Sequence, residues 1–171
     1  MPPREQLQIT AVGDREIAIT RAFAAPRRLV FDAFTRPDLV RRWLLGPPGW
    51  SMPVCEIDLR VGGRYRYVWR RDDDGEEMAV GGEYREIVVP ERIVVTERFD
   101  DAWYPGESLG TVALREDGGR THMVQTLRYE SRAARDAVLA SPMESGVVAS
   151  YDRLAQLLAG GAAAGPAQGA R

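Results

Sequence analysis

An α+β fold with an antiparallel sheet follows from three features of this 171-residue sequence. Between Met52 and Tyr129 the chain reads as successive strands, with period-two alternation broken by Gly and Pro turns. Helical patterns are segregated at two points, after a first strand and at the C-terminal end. The last of them, with Met143, Val147, Tyr151, Leu154 and Leu158 at three- and four-residue steps, carries one apolar face that needs a surface to cover.

Each element has its own local signal. Residues 1–14 hold Pro2, Pro3 and Gly13 with no sustained period and are expected to be a loose arm. Arg15–Phe23 alternates, Ile17, Ile19 and Arg21 against Glu16, Ala18 and Thr20, as a strand does. Pro26 opens a helix through Leu29, Val30, Ala33 and Phe34. Arg36-Pro37-Asp38 restarts a second, carrying Leu39, Trp43 and Leu44, which Gly46-Pro47-Pro48-Gly49 breaks. Strands follow around Cys55–Leu59, Tyr65–Trp69, Val80–Val89, Arg92–Phe99, Leu109–Arg115 and Thr121–Tyr129. Asp117-Gly118-Gly119 is a hairpin signal between the last two. Ser131 is placed to cap a short helix. Ser141-Pro142-Met143-Glu144 has the form of a capping box that starts the long one. Residues 160–171, mostly glycine and alanine, are expected to be a disordered tail.

Composition narrows the function classes. Net charge is −2, from 23 basic and 25 acidic side chains, which does not fit a general nucleic-acid binder. Arg60–Arg71 is basic but is answered by Asp72-Asp73-Asp74. No apolar run is long enough to span a bilayer, and the start lacks signal-peptide order, so no membrane partner is expected. One cysteine, Cys55, cannot form an internal disulfide and suits a reducing cytoplasm. With one histidine, His122, there is no material for a zinc cluster, and no metal or cofactor is expected. The glycine pairs 62–63, 81–82 and 118–119 lack the strand-to-helix context of a phosphate loop and read as turns or bulges.

The fragments TRPDLVRRWLLGP (35–47), IDLRVGGRYRY (57–67), GGEYREIVVPERIVVTERF (81–99), WYPGES (103–108) and YESRAARDAVLASPMESGVVASYDRLAQLL (129–158), in this order, resemble the START-like (SRPBCC) superfamily. Within it the chain is similar to the bacterial branch named after the activator of the ninety-kilodalton heat-shock chaperone's ATPase. The resemblance implies a helix-grip domain over residues 15–159: a curved antiparallel sheet wrapped around the long C-terminal helix, two short helices after the first strand, and an apolar cavity between sheet and helix. Pro142 stands where the family pattern suggests glycine, and it suits a helix start. The superfamily spans lipid carriers, hormone receptors, cyclases and chaperone partners, so fold alone does not assign an activity.

Candidate site residues are those able to line such a cavity. Tyr65, Tyr67 and Trp69 alternate with Arg64, Arg66 and Arg70 and should face the helix. Trp43, Tyr84, Trp103 and Met123 are placed to join them, with Met143, Val147 and Tyr151 from the helix itself. Aromatic walls with a few polar tips suit a small hydrophobic or aromatic ligand, and equally an ordinary filled core. Gly146, inside the helix, tilts the balance toward a cavity, since its missing side chain leaves room or permits close backbone approach. Gln125 should share the inner face with Met123 and would then need a polar partner, protein or ligand. His122, on the opposite face with Val124 and Thr126, is expected at the surface. Glu56, Asp58, Glu83, Glu86 and Glu97 are expected mostly on the solvated side, leaving no dry carboxylate in the cavity and no catalytic residue.

The leading expectation is therefore non-catalytic binding of a small apolar or aromatic molecule. A cyclase- or hydrolase-like enzyme using the same cavity is the alternative, and a chaperone-associated stress-response protein the third. The third is disfavoured because the larger eukaryotic relatives implied by the resemblance carry an additional N-terminal chaperone-binding domain, which fourteen irregular residues cannot supply. A homodimer remains open.

Overall fold

The structure, a computed structural model, describes residues 6–102 and 104–160. A strand β1 (Gln8–Val12) pairs with β2 (Glu16–Phe23), and two short helices follow, α1 (Arg27–Thr35) and α2 (Pro37–Trp43). Six strands then run as a meander: β3 (Trp50–Ile57), β4 (Arg64–Arg71), β5 (Glu77–Val88), β6 (Arg92–Phe99), β7 (Ser108–Asp117) and β8 (Arg120–Arg128). The chain ends in α3 (Arg132–Ala140) and the long α4 (Met143–Ala159). All eight strands form one antiparallel sheet, ordered β1-β2-β8-β7-β6-β5-β4-β3. This is the α+β helix-grip arrangement that the sequence predicts.

Alternation builds the sheet's inner face. Ile17, Ile19 and Phe23 of β2, Leu114 of β7, and Met123 and Leu127 of β8 are buried against Tyr151, Leu154, Leu157 and Leu158 of α4. The turn between β7 and β8 has Gly118 and Gly119 both at positive φ, 58° and 78°, with Asp117 and Arg120 paired across it. That is the twist a two-residue hairpin demands, and glycine adopts it without steric penalty. Ser131 caps α3, its hydroxyl accepting the Ala134 N–H at 3.0 Å.

Two local expectations are corrected. Residues 8–12, expected within a loose arm, form β1, held by its register with β2 from Gln8↔Thr20 to Val12↔Glu16. The capping box at Ser141 does not form. Only two residues separate α3 from α4, and Ser141 serves as the C-cap of α3, donating its hydroxyl back to the Val138 carbonyl at 2.5 Å. Pro142 precedes the first turn of α4 with no side-chain cap. The tail expected from residue 160 onward lies, past Gly160, outside the described residues.

Candidate functional site

Strand pairing sorts the inner face into rows. Ile19, Gln125, Val112 and Ile93 stand opposite one another across β2, β8, β7 and β6. The next row holds Ile17, Leu127, Gly110, Val95 and Tyr84. Beyond it Glu97 faces Ser108, and then come Phe99, Val80 and Tyr67. α4 crosses above, with Tyr151 at 6.2 Å from Phe23 between ring centres and 5.4 Å from Trp43.

The sequence candidates fall into two groups. Trp43, Tyr65, Tyr84, Met123 and Tyr151 are fully buried core residues. The Trp43 indole donates to the Ala33 carbonyl at 2.9 Å, and the Tyr65 hydroxyl to the Thr96 carbonyl at 2.7 Å. Tyr67, Gln125, Met143 and Val147 face the same interior yet remain only half-buried. Trp69, also half-buried, is drawn away from this group. Its indole donates to the Leu44 carbonyl at 2.7 Å, and it packs in a second cluster with Val40, Met52 and Cys55. Trp103 lies outside the described residues.

Gln125 points inward as expected, and its partner is protein: the Tyr151 hydroxyl donates to Oε1 at 2.5 Å. Gly146 marks a close approach instead of open room. A Cβ there would stand 3.3 Å from Pro47 Cδ, and the neighbouring Gly46 N–H donates to Ser150 Oγ at 2.9 Å. His122 is half-buried on the outer face, as expected, beside Ala22 and Arg115. It borders a shallow outer groove of about 480 Å³ with Val88, Ala113 and Val124. That groove is on the opposite side of the sheet from α4.

The carboxylates give the main correction. Glu86 pairs outward with Arg92 at 2.7 Å and Glu83 with Arg85 at 3.4 Å, while Glu56 and Asp58 are exposed. Glu97 instead points inward, in step with Ile93, Val95 and Phe99. Its surroundings strip it of water, and burial pushes its carboxyl up to about 7 from an ordinary 4.5. It nonetheless keeps partial solvent contact, so it lines a space and is not sealed in packing. Among the described residues it has no hydrogen-bond or ion-pair partner.

The charge of this carboxyl reaches several tyrosine hydroxyls. Burial first, and then the Glu97 charge, hold the hydroxyls of Tyr65, Tyr129 and Tyr151 well above the usual phenol range. Tyr104 is raised to about 12 by the same two causes, with Ser108 pulling the other way. Tyr67 is raised chiefly by burial, with Glu97 among the lesser causes. Next to Glu97 the β5–β6 ladder is pinched. Gly82 has no side chain, and a Cβ there would fall 1.8 Å from the Thr96 carbonyl oxygen. The Glu83 N–H is satisfied by the Thr96 hydroxyl at 2.9 Å.

Glu97 was legible in principle. The run Ile93-x-Val95-x-Glu97-x-Phe99 puts the carboxylate on the apolar side of a period-two strand. Counting it with the solvated charges ignored that phase. Among the described residues no three His, Cys, Asp or Glu side chains gather as a metal site, and no helix is long and apolar enough to cross a membrane.

Comparison with known proteins agrees with this architecture. The sequence model of the family described as Activator of Hsp90 ATPase homolog 1-like protein matches residues 24–159. A Rhodobacter sphaeroides protein of solved structure is 30% identical, with a TM-score of 0.85 over 91% of this chain and 99% of that one. One from Chromobacterium violaceum is 32% identical, with a TM-score of 0.72 over 84% and 96% of the two chains. One from Mycobacterium smegmatis is 25% identical, with a TM-score of 0.75 over 88% and 97%. No curated protein matches the sequence.

Proposed function

Because the chain belongs to the Activator of Hsp90 ATPase homolog 1-like family, whose sheet and terminal helix enclose an interior face, we propose that it binds a small hydrophobic or aromatic molecule between the sheet and α4. One observation carries the reading. Tyr67, Phe99, Val112, Met143 and Val147 all face the core and yet stay half-buried, so sheet and helix do not close fully on each other. Apolar side chains left partly open on a concave face give an apolar ligand surface to bury. The single cysteine, Cys55, is buried and free, which supports a reducing cytoplasm as the compartment.

The test uses a neutral solvatochromic dye, Nile red, with Val147→Trp. If the space is open, the added indole fills it. The dye should then bind the parent and bind the variant at least ~10-fold more weakly, with little change in melting temperature. In a filled core the same substitution overpacks and costs roughly 1–3 kcal/mol. A destabilised variant together with a parent that ignores the dye would reject the reading.

Glu97 favours a second reading. A carboxyl raised to about 7 inside an apolar space is placed for general acid–base work, which cyclase- or hydrolase-like chemistry requires. Turnover of a candidate ester or polyketide-like substrate that disappears in Glu97→Gln, while dye binding persists, would move the assignment to an enzyme.

A further inference from the structure

Several interior polar groups are satisfied by one another. The Tyr65 hydroxyl is taken by the Thr96 carbonyl and the Tyr151 hydroxyl by Gln125. The guanidinium groups near α4 are likewise engaged, Arg21 with Asp152 at 2.6 Å and Arg153 with the Trp43 carbonyl at 3.4 Å. Arg135 is buried against the Gly13 and Glu16 carbonyls, at the β1–β2 end. The Glu97 carboxyl faces the same interior and has no hydrogen-bond or ion-pair partner among the described residues.

A buried carboxylate without a counter-charge is expensive, and proteins keep such groups paired or hydrogen-bonded. The tyrosines whose hydroxyls feel the Glu97 charge bring aromatic rings to the same interior, and an aromatic ring attracts a cation. A cation between those rings would meet the carboxylate in a low-dielectric space, where a charge-assisted hydrogen bond is at its strongest. An anion would be repelled by the same group, and a neutral alcohol would leave the charge uncompensated.

Resting on the ligand-binding reading above, we propose that the molecule held between the sheet and α4 is an organic cation. It is an amine or amidine on an aromatic or aliphatic body, with the Glu97 carboxylate as its counter-ion and those tyrosine rings as its walls. The apolar body covers the half-buried faces of Phe99, Met143 and Val147, and the cationic head reaches the row of Glu97 and Ser108. Selectivity then comes from the head group and capacity from the body.

Three matched probes test this by calorimetry at pH 8: 2-(naphthyl)ethylamine, 2-(naphthyl)ethanol and naphthylacetate. The amine should bind the full-length protein at least ~10-fold more tightly than the alcohol, as expected for a charge-assisted bond, and the acetate should bind most weakly. Glu97→Gln should abolish the amine's advantage over the alcohol, and alcohol binding that persists in the variant shows that it is folded. Alcohol binding as tight as the amine's in the parent, or amine affinity unaltered in Glu97→Gln, would overturn the cation assignment while leaving a ligand cavity in place. Failure of all three probes would overturn the assignment and the cavity together. Should Glu97→Gln not fold, the parent's ranking of the three probes decides by itself.

Discussion

Glu97 ties the interior of this protein to proton concentration. Its carboxyl rests at about 7 in the folded chain against an ordinary 4.5, so the folded state holds the proton more firmly than the unfolded one. Stability from this group is therefore fully present below about pH 4.5 and is lost as pH rises through 7. The tyrosines its charge reaches, Tyr65, Tyr67, Tyr104, Tyr129 and Tyr151, are all held neutral over that range. Glu97→Gln should accordingly stabilise the unliganded protein at pH 8, by up to about 3 kcal/mol, and by much less at pH 5. Urea melts of both proteins at the two pH values measure this, and a gain that does not change with pH would mean that the carboxyl is well solvated. His122→Ala, on the outer face and away from these tyrosines, should shift stability by no more than ~0.5 kcal/mol and leave dye binding untouched. At this scale the sequence was legible wherever a side chain's phase along its strand was followed. Gln125 was placed inward for that reason, and Glu97 was missed because charge was allowed to outweigh phase. That Tyr151 would be Gln125's partner was not readable, since the pair is made by α4 crossing β8.

Helix ends give the sharpest contrast among the elements. Ser131 accepts a backbone N–H at the start of α3, whereas Ser141 donates at its end and caps nothing in α4. Ser131→Ala should then cost about 1 kcal/mol, and Ser141→Ala distinctly less. Thermal melts of the two variants check the order, which is the reverse of what a capping box at Ser141 would give. The box failed because the Ser141 hydroxyl is turned back to the Val138 carbonyl and the N-cap position of α4 falls on Pro142, which has no side-chain acceptor. At Gly146 a small change is informative too. Alanine is favoured over glycine in a helix by roughly 1 kcal/mol, but its Cβ would press on Pro47 at 3.3 Å. A larger side chain has no such balance, so Gly146→Leu should lower the melting temperature by forcing the Gly46-Pro47 loop off α4 and straining the Gly46–Ser150 bond. A melting temperature equal to the parent's would show that the loop yields freely.

For the whole molecule, α4 is the cover on the sheet. Tyr151, Leu154, Leu157 and Leu158 are buried by it, and the inner faces of β2, β7 and β8 are buried beneath it. Ending the chain before Ser141 should abolish cooperative unfolding, seen as loss of a sigmoidal melt, and a truncated chain that melts like the parent would contradict the core as described. This architecture was the most legible part of the sequence. Six alternating segments with Gly and Pro turns read directly as a meander, and a one-sided terminal helix reads as its lid. β1 was not legible because QITAV is short and exposed along nearly its whole length. Its strand character comes from pairing with β2, not from its own pattern.

The seam between β2 and β8 has a consequence for how the chain comes to be folded. Glu16 pairs with Arg128 and Phe23 with Thr121, roughly a hundred residues apart, whereas the meander from β3 to β8 is closed by neighbours. Pairings across such distances are slow to find. On a ribosome adding ~5–20 residues per second, β2 has only β1 beside it for on the order of 5–20 seconds before β8 exists. Through that interval Ile17, Ile19 and Phe23 have no sheet to enter, and the nascent chain is at its stickiest. The protein's most vulnerable moment is thus set by the order in which its strands are made.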